Sequence, residues 1–176
     1  MVRGQLHGGI DLPQGAICAF ASKLDNFVEV LALMFRSILI PIDIAHRSSW
    51  QFALPQAIEL AAAGKAKLTV TTVVRELNAM FEGVRLEFQL ERLISDAREK
   101  LAQIVAEFDA HGIVLEQSVL FGSIGAQIRR AATEVGADLI VMASHRPEMR
   151  DYLIGPNAGY VAQNATCSVL VLRRFE

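Results

Sequence analysis

The sequence predicts an α/β fold: a doubly wound five-stranded parallel sheet, strand order 3-2-1-4-5, with helices on both faces. Two observations carry this. Five short apolar runs, at 36–43, 66–74, 113–120, 138–143 and 168–173, alternate with stretches of helical period, and that alternation implies parallel strands joined by right-handed crossovers. The first run holds Ile38, Leu39, Ile40 and Ile42 almost without interruption, as in a strand covered on both faces. The strand order is the one assumed for such folds, in which ligands lie outside the carboxyl ends of the strands where the order reverses.

The bulk properties set the frame. A chain of 176 residues, 52% hydrophobic and 20% charged, suits one domain with a full core. A formal charge of −2 supplies no basic field for nucleic acid or an anionic membrane. Cys18 and Cys167 lie far apart without CxxC spacing, so a reducing, cytoplasmic setting is expected. No apolar run reaches the roughly 18 residues of a membrane span. Arg3 and the apolar patch from Gly15 to Ala21 raise a signal peptide, but Asp11, a single basic residue and the lack of an A-x-A site argue against export.

Residues 1–33 are Gly-rich at first and lack a sustained period; 24–34 suit a short helix. The regular pattern begins after Met34, so 1–33 read as a loosely ordered extension, with Met34 a candidate natural start. In the first strand, Pro41 stops pairing near the end and Asp43 falls at the carboxyl edge. Ser48 and Ser49 supply a helix cap, with Gln51 three residues beyond Ser48. Trp50, Leu54, Ala57, Ile58 and Ala61 continue to a stop at Gly64, with a kink expected at Pro55. Trp50 reads as packing.

The β-branched run at 66–74 is the second strand. Leu90, Leu93, Ile94, Ala97, Leu101, Ile104, Val105 and Phe108 stripe a long helix from about Leu86 to Phe108, which His111-Gly112 end. After the third strand, Gly122-Ser123 turn and cap a helix closed by Gly136. The last helix spans about Asn157 to Ala165 before the fifth strand.

A strand, a polar loop and a helix start follow one another from Asp138 to Asn164, an arrangement suited to anions because free N–H groups at a helix start face the ligand. His7, His46, His111 and His145 are scattered, and no zinc, Walker A, nucleophile-elbow or dinucleotide motif occurs. Asp43 either accepts hydrogen bonds from a ligand or caps the next turn. Arg146 either donates to phosphate or is a solvated loop charge. His145 reads as structural. Gly155 permits close backbone approach, and Asn157 with the following amides completes an anion site.

These residues resemble the universal stress protein family. FRSILIPIDIAHRSS resembles its first strand and Ser-rich turn; GADLIVMASHRP and LIGPNAGYVAQNATCSVLVLRR resemble its fourth strand, nucleotide loop, last helix and fifth strand. The likeness covers about residues 34–176, and the S-H-R-P turn is similar to a small bacterial subgroup. It implies an adenine nucleotide alpha hydrolase-like fold. Against the family's Gly-x2-Gly-x9-Gly-Ser/Thr pattern, this chain has Ala143, Arg146, Gly155 one residue early, and Pro156.

By this resemblance, Pro41, Ile42, Asp43 and the backbone near Val73 contact adenosine, and Met142 lines the pocket. Ala143, Ser144, His145, Arg146, Gly155, Pro156, Asn157 and Ala158 surround the phosphates. The implied ligand is ATP or AMP, with or without Mg²⁺, acting by ligand-dependent interactions. The alternative is a dimeric scaffold that has lost nucleotide, suggested by Ala143 and Pro156. Catalysis would be at most slow ATP hydrolysis or autophosphorylation, since no base is identifiable. A homodimer through the apolar fifth strand, 169–173, completes the expectation.

Overall fold

In the computed structural model, residues 34–75, 85–143 and 155–173 are described. β1 (Ser37–Pro41) leads through a 3-10 turn (Arg47–Ser49) to α1 (Ala53–Gly64) and β2 (Lys67–Val74). Then come α2 (Arg85–Ala106), β3 (Leu115–Phe121), α3 (Ile124–Glu134), β4 (Leu139–Ala143), α4 (Pro156–Asn164) and β5 (Ser168–Leu172). All pairings are parallel and the order is β3-β2-β1-β4-β5, as the sequence predicts. Expectations for residues 1–33, and for most of the loop after β2, fall outside the described residues.

Strand alternation sorts the core into two layers. Ile38, Ile40 and Ile42 join Leu139 and Val141 on one face, against Leu54 and Ile58 of α1 and Leu101 and Ile104 of α2. Leu39, Ile140 and Met142 point the other way, onto Ile128 and Ala132 of α3 and Ala158 and Val161 of α4. The central strands are therefore buried on both sides, which is why they read as continuous apolar runs. Each large side chain so enclosed contributes about 1.5–3 kcal/mol.

Trp50 packs as expected: it is 6% exposed, its ring and that of Phe108 are T-shaped with centroids 6.2 Å apart, and the Arg47 guanidinium lies 5.4 Å from its centre.

Three helix-end expectations are corrected. Ser48 and Ser49 do not cap α1; they lie in the 3-10 turn, and α1 starts at Ala53 after Phe52, with no side-chain cap. The Ser49 hydroxyl is drawn instead to the backbone of Asp43. Because α1 starts late, Pro55 falls in its first turn, where proline is tolerated. The left-handed closing residue is Lys65 (φ 51°), not Gly64, which is buried as the last helical residue. α2 ends at Ala106, and His111 (φ 47°) and Gly112 (φ 75°) make the left-handed turn into β3.

Candidate functional site

The β1–β4 ladder is short where the strand order reverses. β1 pairs with β2 along its whole length, from Ser37–Lys67 to Pro41–Thr71. With β4 it pairs only at Ile38–Leu139 and Leu39–Ile140. Hydrogen-bond alternation supplies the reason. Arg36 and Ile42 bond β2, whereas Ser37 bonds β4, so Pro41 also faces β4, where it has no N–H to give. The hydrogen-bonded β1–β4 ladder thus stops short of their carboxyl ends. The β1–β2 crossover runs on one face and the β4–β5 crossover on the other, which makes this the topological switch point.

Asp43 stands just beyond β1 in a tightly bonded turn. One carboxylate oxygen accepts from the Ala45 N–H at 2.9 Å, and the other lies 2.8 Å from His46 Nδ1. Its N–H donates to Ser49 Oγ, which donates back to the Asp43 carbonyl, both at 2.9 Å. The carboxylate is exposed but locally occupied, so the turn-capping role left open by the sequence is realised. Ligand contact there requires sharing or replacing the His46 partner.

A cleft of about 520 Å³ lies over the ends of β2 and β3, within the ~300–1,000 Å³ common for small-molecule sites. Arg75 from the end of β2, Gly122 to Gly125 from the β3–α3 turn, and Pro156, Asn157 and Tyr160 from α4 line it. Gly122 has φ +126° and donates its N–H to Val74 O at 2.9 Å, a backbone that only glycine adopts without strain. α4 begins with Gly155 as its N-cap and Pro156 in its first turn, with no capping side chain. Gly159 N–H closes the first helical bond to Gly155 O at 2.8 Å, leaving the Asn157 and Ala158 amides without an intrahelical acceptor. Pro156 has no N–H to lose at this position.

Pro156 and Asn157 therefore reach the cleft, with Gly155 adjoining them, and the Ala158 side chain is buried beneath. Pro41, Ile42 and Asp43 sit at the neighbouring β1 edge. Ile42 and Met142 are core residues, 4% and 6% exposed, and Ala143 packs against the α1–α2 layer. Val73 packs against the α3–α4 layer. Ser144, His145 and Arg146 lie outside the described residues.

Among the described residues no three His, Cys, Asp or Glu side chains group as a metal site. Among the described residues Asp43 is the one carboxylate at this edge, too few by itself for a protein-built Mg²⁺ cage.

Sequence reading missed Arg75, Gly122–Gly125 and Tyr160 as cleft walls. Gly122 and Gly125 carried a signal, since one turn holds both. Gly125 is buried, and a Cβ there would overlap the Tyr160 ring. That contact brings the starts of α3 and α4 together.

Comparison with known proteins gives one consistent result. A model of the universal stress protein family matches residues 34–173. Universal stress protein G of Shigella flexneri is 28% identical over 151 residues, covering 80% of this chain and all of that protein. The solved structure of universal stress protein UspA from Lactobacillus plantarum superposes with a TM-score of 0.59 at 25% identity, covering 78% of this chain and 97% of that one. A universal stress protein solved in complex with cAMP has a TM-score of 0.53 at 21% identity, covering 79% and 97%. Among the described residues, no helix is long and apolar enough to cross a membrane.

Proposed function

The chain belongs to the universal stress protein family, and we propose that it is a nucleotide-binding member that takes ATP or AMP at the β1–β4 switch point. The observation that carries this reading is the coincidence of two features. The β1–β4 ladder stops short of the carboxyl ends of the strands, and the start of α4, which has no capping side chain, opens onto the adjoining cleft. The Asn157 and Ala158 amides would hold phosphate by directed N–H donation and the favourable helix dipole. Pro41, Ile42, Asp43 and Val73 would place the adenosine, and Gly155 lets the phosphate chain pass close to the backbone. Ser144, His145 and Arg146 belong to the same proposed site through the S-H-R-P resemblance. The cAMP complex of a structural neighbour supports a nucleotide as a ligand compatible with this fold.

In this reading the protein acts in the cytoplasm as a stress-response module, through interactions that change with the bound ligand. Any ATP hydrolysis or autophosphorylation is slow. The homodimer would form through 169–173: β5 is a sheet edge, and Leu170 is 39% exposed on it, so edge pairing would cover unpaired backbone and apolar surface together.

A second reading, a dimeric scaffold without nucleotide, draws on the engagement of both Asp43 carboxylate oxygens by Ala45 and His46. Calorimetric titration with ATP and AMP separates the two, once the purified protein has been checked for carried-over nucleotide. Saturable heat is expected. No heat at millimolar ligand, with no nucleotide co-purified, favours the scaffold.

A further inference from the structure

We infer that Arg75 reads the nucleobase: its guanidinium donates to acceptor atoms on the edge of a purine, so that the site takes 6-oxopurine nucleotides as well as adenine ones. This rests on the nucleotide reading above, which lays the base end of the ligand against Pro41 and Val73. It adds a residue that the family resemblance did not supply.

Strand alternation places Arg75 at that end. Leu68 and Val70 of β2 pack into the α1–α2 layer, whereas Val73 packs into the α3–α4 layer. Arg75 lies two residues beyond Val73, so it continues on the same side of the sheet, about 7 Å further along the chain. Its place on the cleft wall, with the β3–α3 turn and the start of α4, agrees. Pro41 shares that side with Leu39 by the same alternation, and Met142 packs there too. β2 and β4 flank β1, so the Asn157 and Ala158 amides, on the helix after β4, belong to the other end of the ligand.

A base resting on Val73 would meet Arg75 at its edge, because Arg75 is displaced along the strand and not above it. Arg75 is exposed, and a guanidinium only donates hydrogen bonds. Adenine offers N7 as an acceptor beside its N6 amino group, which is itself a donor. Guanine and hypoxanthine offer N7 and O6 side by side, the pair that an arginine fork engages with two bonds. A lysine ammonium lacks that planar fork.

The test measures affinities of the full chain and of Arg75→Ala and Arg75→Lys for ATP, AMP, ITP, IMP and inorganic tripolyphosphate by calorimetry. Circular dichroism confirms that the variants remain folded. The parent should bind ITP within about threefold of ATP or more tightly. Arg75→Ala should weaken ITP and IMP by about tenfold, the scale of hydrogen bonds from a charged group, and ATP and AMP by less than about threefold. Tripolyphosphate has no base and should be unaffected. Arg75→Lys should recover only part of the ITP loss. A parent that binds ATP but not ITP, or equal losses of the two in Arg75→Ala, overturns the inference and leaves the proposed function standing. A loss for tripolyphosphate as large as that for ITP assigns Arg75 to phosphate and overturns it as well. If the parent binds none of the nucleotides, both fall.

Discussion

Asp138 and Ser37 hold each other from both sides. The Ser37 N–H donates to Asp138 Oδ1 at 3.1 Å, and the Asp138 N–H donates to the Ser37 carbonyl at 2.9 Å. The other carboxylate oxygen accepts from Arg36 N–H at 2.7 Å. One side chain thereby caps the amino end of β1 and sets its register with β4. Nothing in the local pattern around Asp138 announces this, because its partners lie about a hundred residues earlier.

Replacing Asp138 by Ala should cost about 2–3 kcal/mol, since hydrogen bonds to a charged group contribute about 1.5–3 kcal/mol each and one partner is exposed to water. Urea unfolding of the full chain measures it. A loss below about 0.5 kcal/mol would mean that strand pairing alone sets the register.

Gly125→Ala pits two effects against each other. Alanine favours a helix over glycine by about 1 kcal/mol, but its Cβ would overlap the Tyr160 ring near the root of that side chain. The ring must move as a whole, and such overpacking costs about 1–3 kcal/mol. Net destabilisation is expected. The Gly125→Ala, Tyr160→Ala double variant should lose less than the sum of the single losses, and strict additivity would show that the contact carries no strain.

Pro156→Ser restores at the start of α4 the hydroxyl and N–H that the family's nucleotide loop supplies by resemblance. Under the proposed function it should strengthen ATP binding by about three- to tenfold, the scale of one or two added hydrogen bonds. Proline and serine both suit a helix start, so stability should change by less than about 1 kcal/mol. Unchanged ATP affinity in calorimetry would place the phosphates away from this turn.

Cys167 supplies a pH-dependent observable. Its thiol is raised above its ordinary value of 9.0, first by burial and then by the Asp138 carboxylate, against a smaller opposing backbone hydrogen bond. The reactive thiolate is therefore scarcer than in a free cysteine. In a Cys18→Ser background, iodoacetamide should alkylate the folded protein at pH 8.5 more slowly than it does the urea-unfolded chain. The linkage has a definite sign: the unfolded chain loses this proton first, so stability is unaffected at neutral pH and falls as pH rises above about 9. Cys167→Ala should flatten that alkaline fall in Tm, and an equal slope with and without the thiol would exclude the coupling.

The strand and helix alternation, the two-faced core of β1, and the glycine-proline start of α4 were all legible in the sequence by itself. Each depends on neighbours within a few residues, where periodicity and backbone chemistry act. The helix caps failed at this same range for a physical reason. A serine hydroxyl has several backbone partners within reach, and Ser49 bonds Asp43 in place of α1. The tertiary structure alone decided that Asp138 would tie β4 to β1. It also brought Arg75, the β3–α3 turn and Tyr160 around one cleft, because crossovers bring together residues that no local period relates.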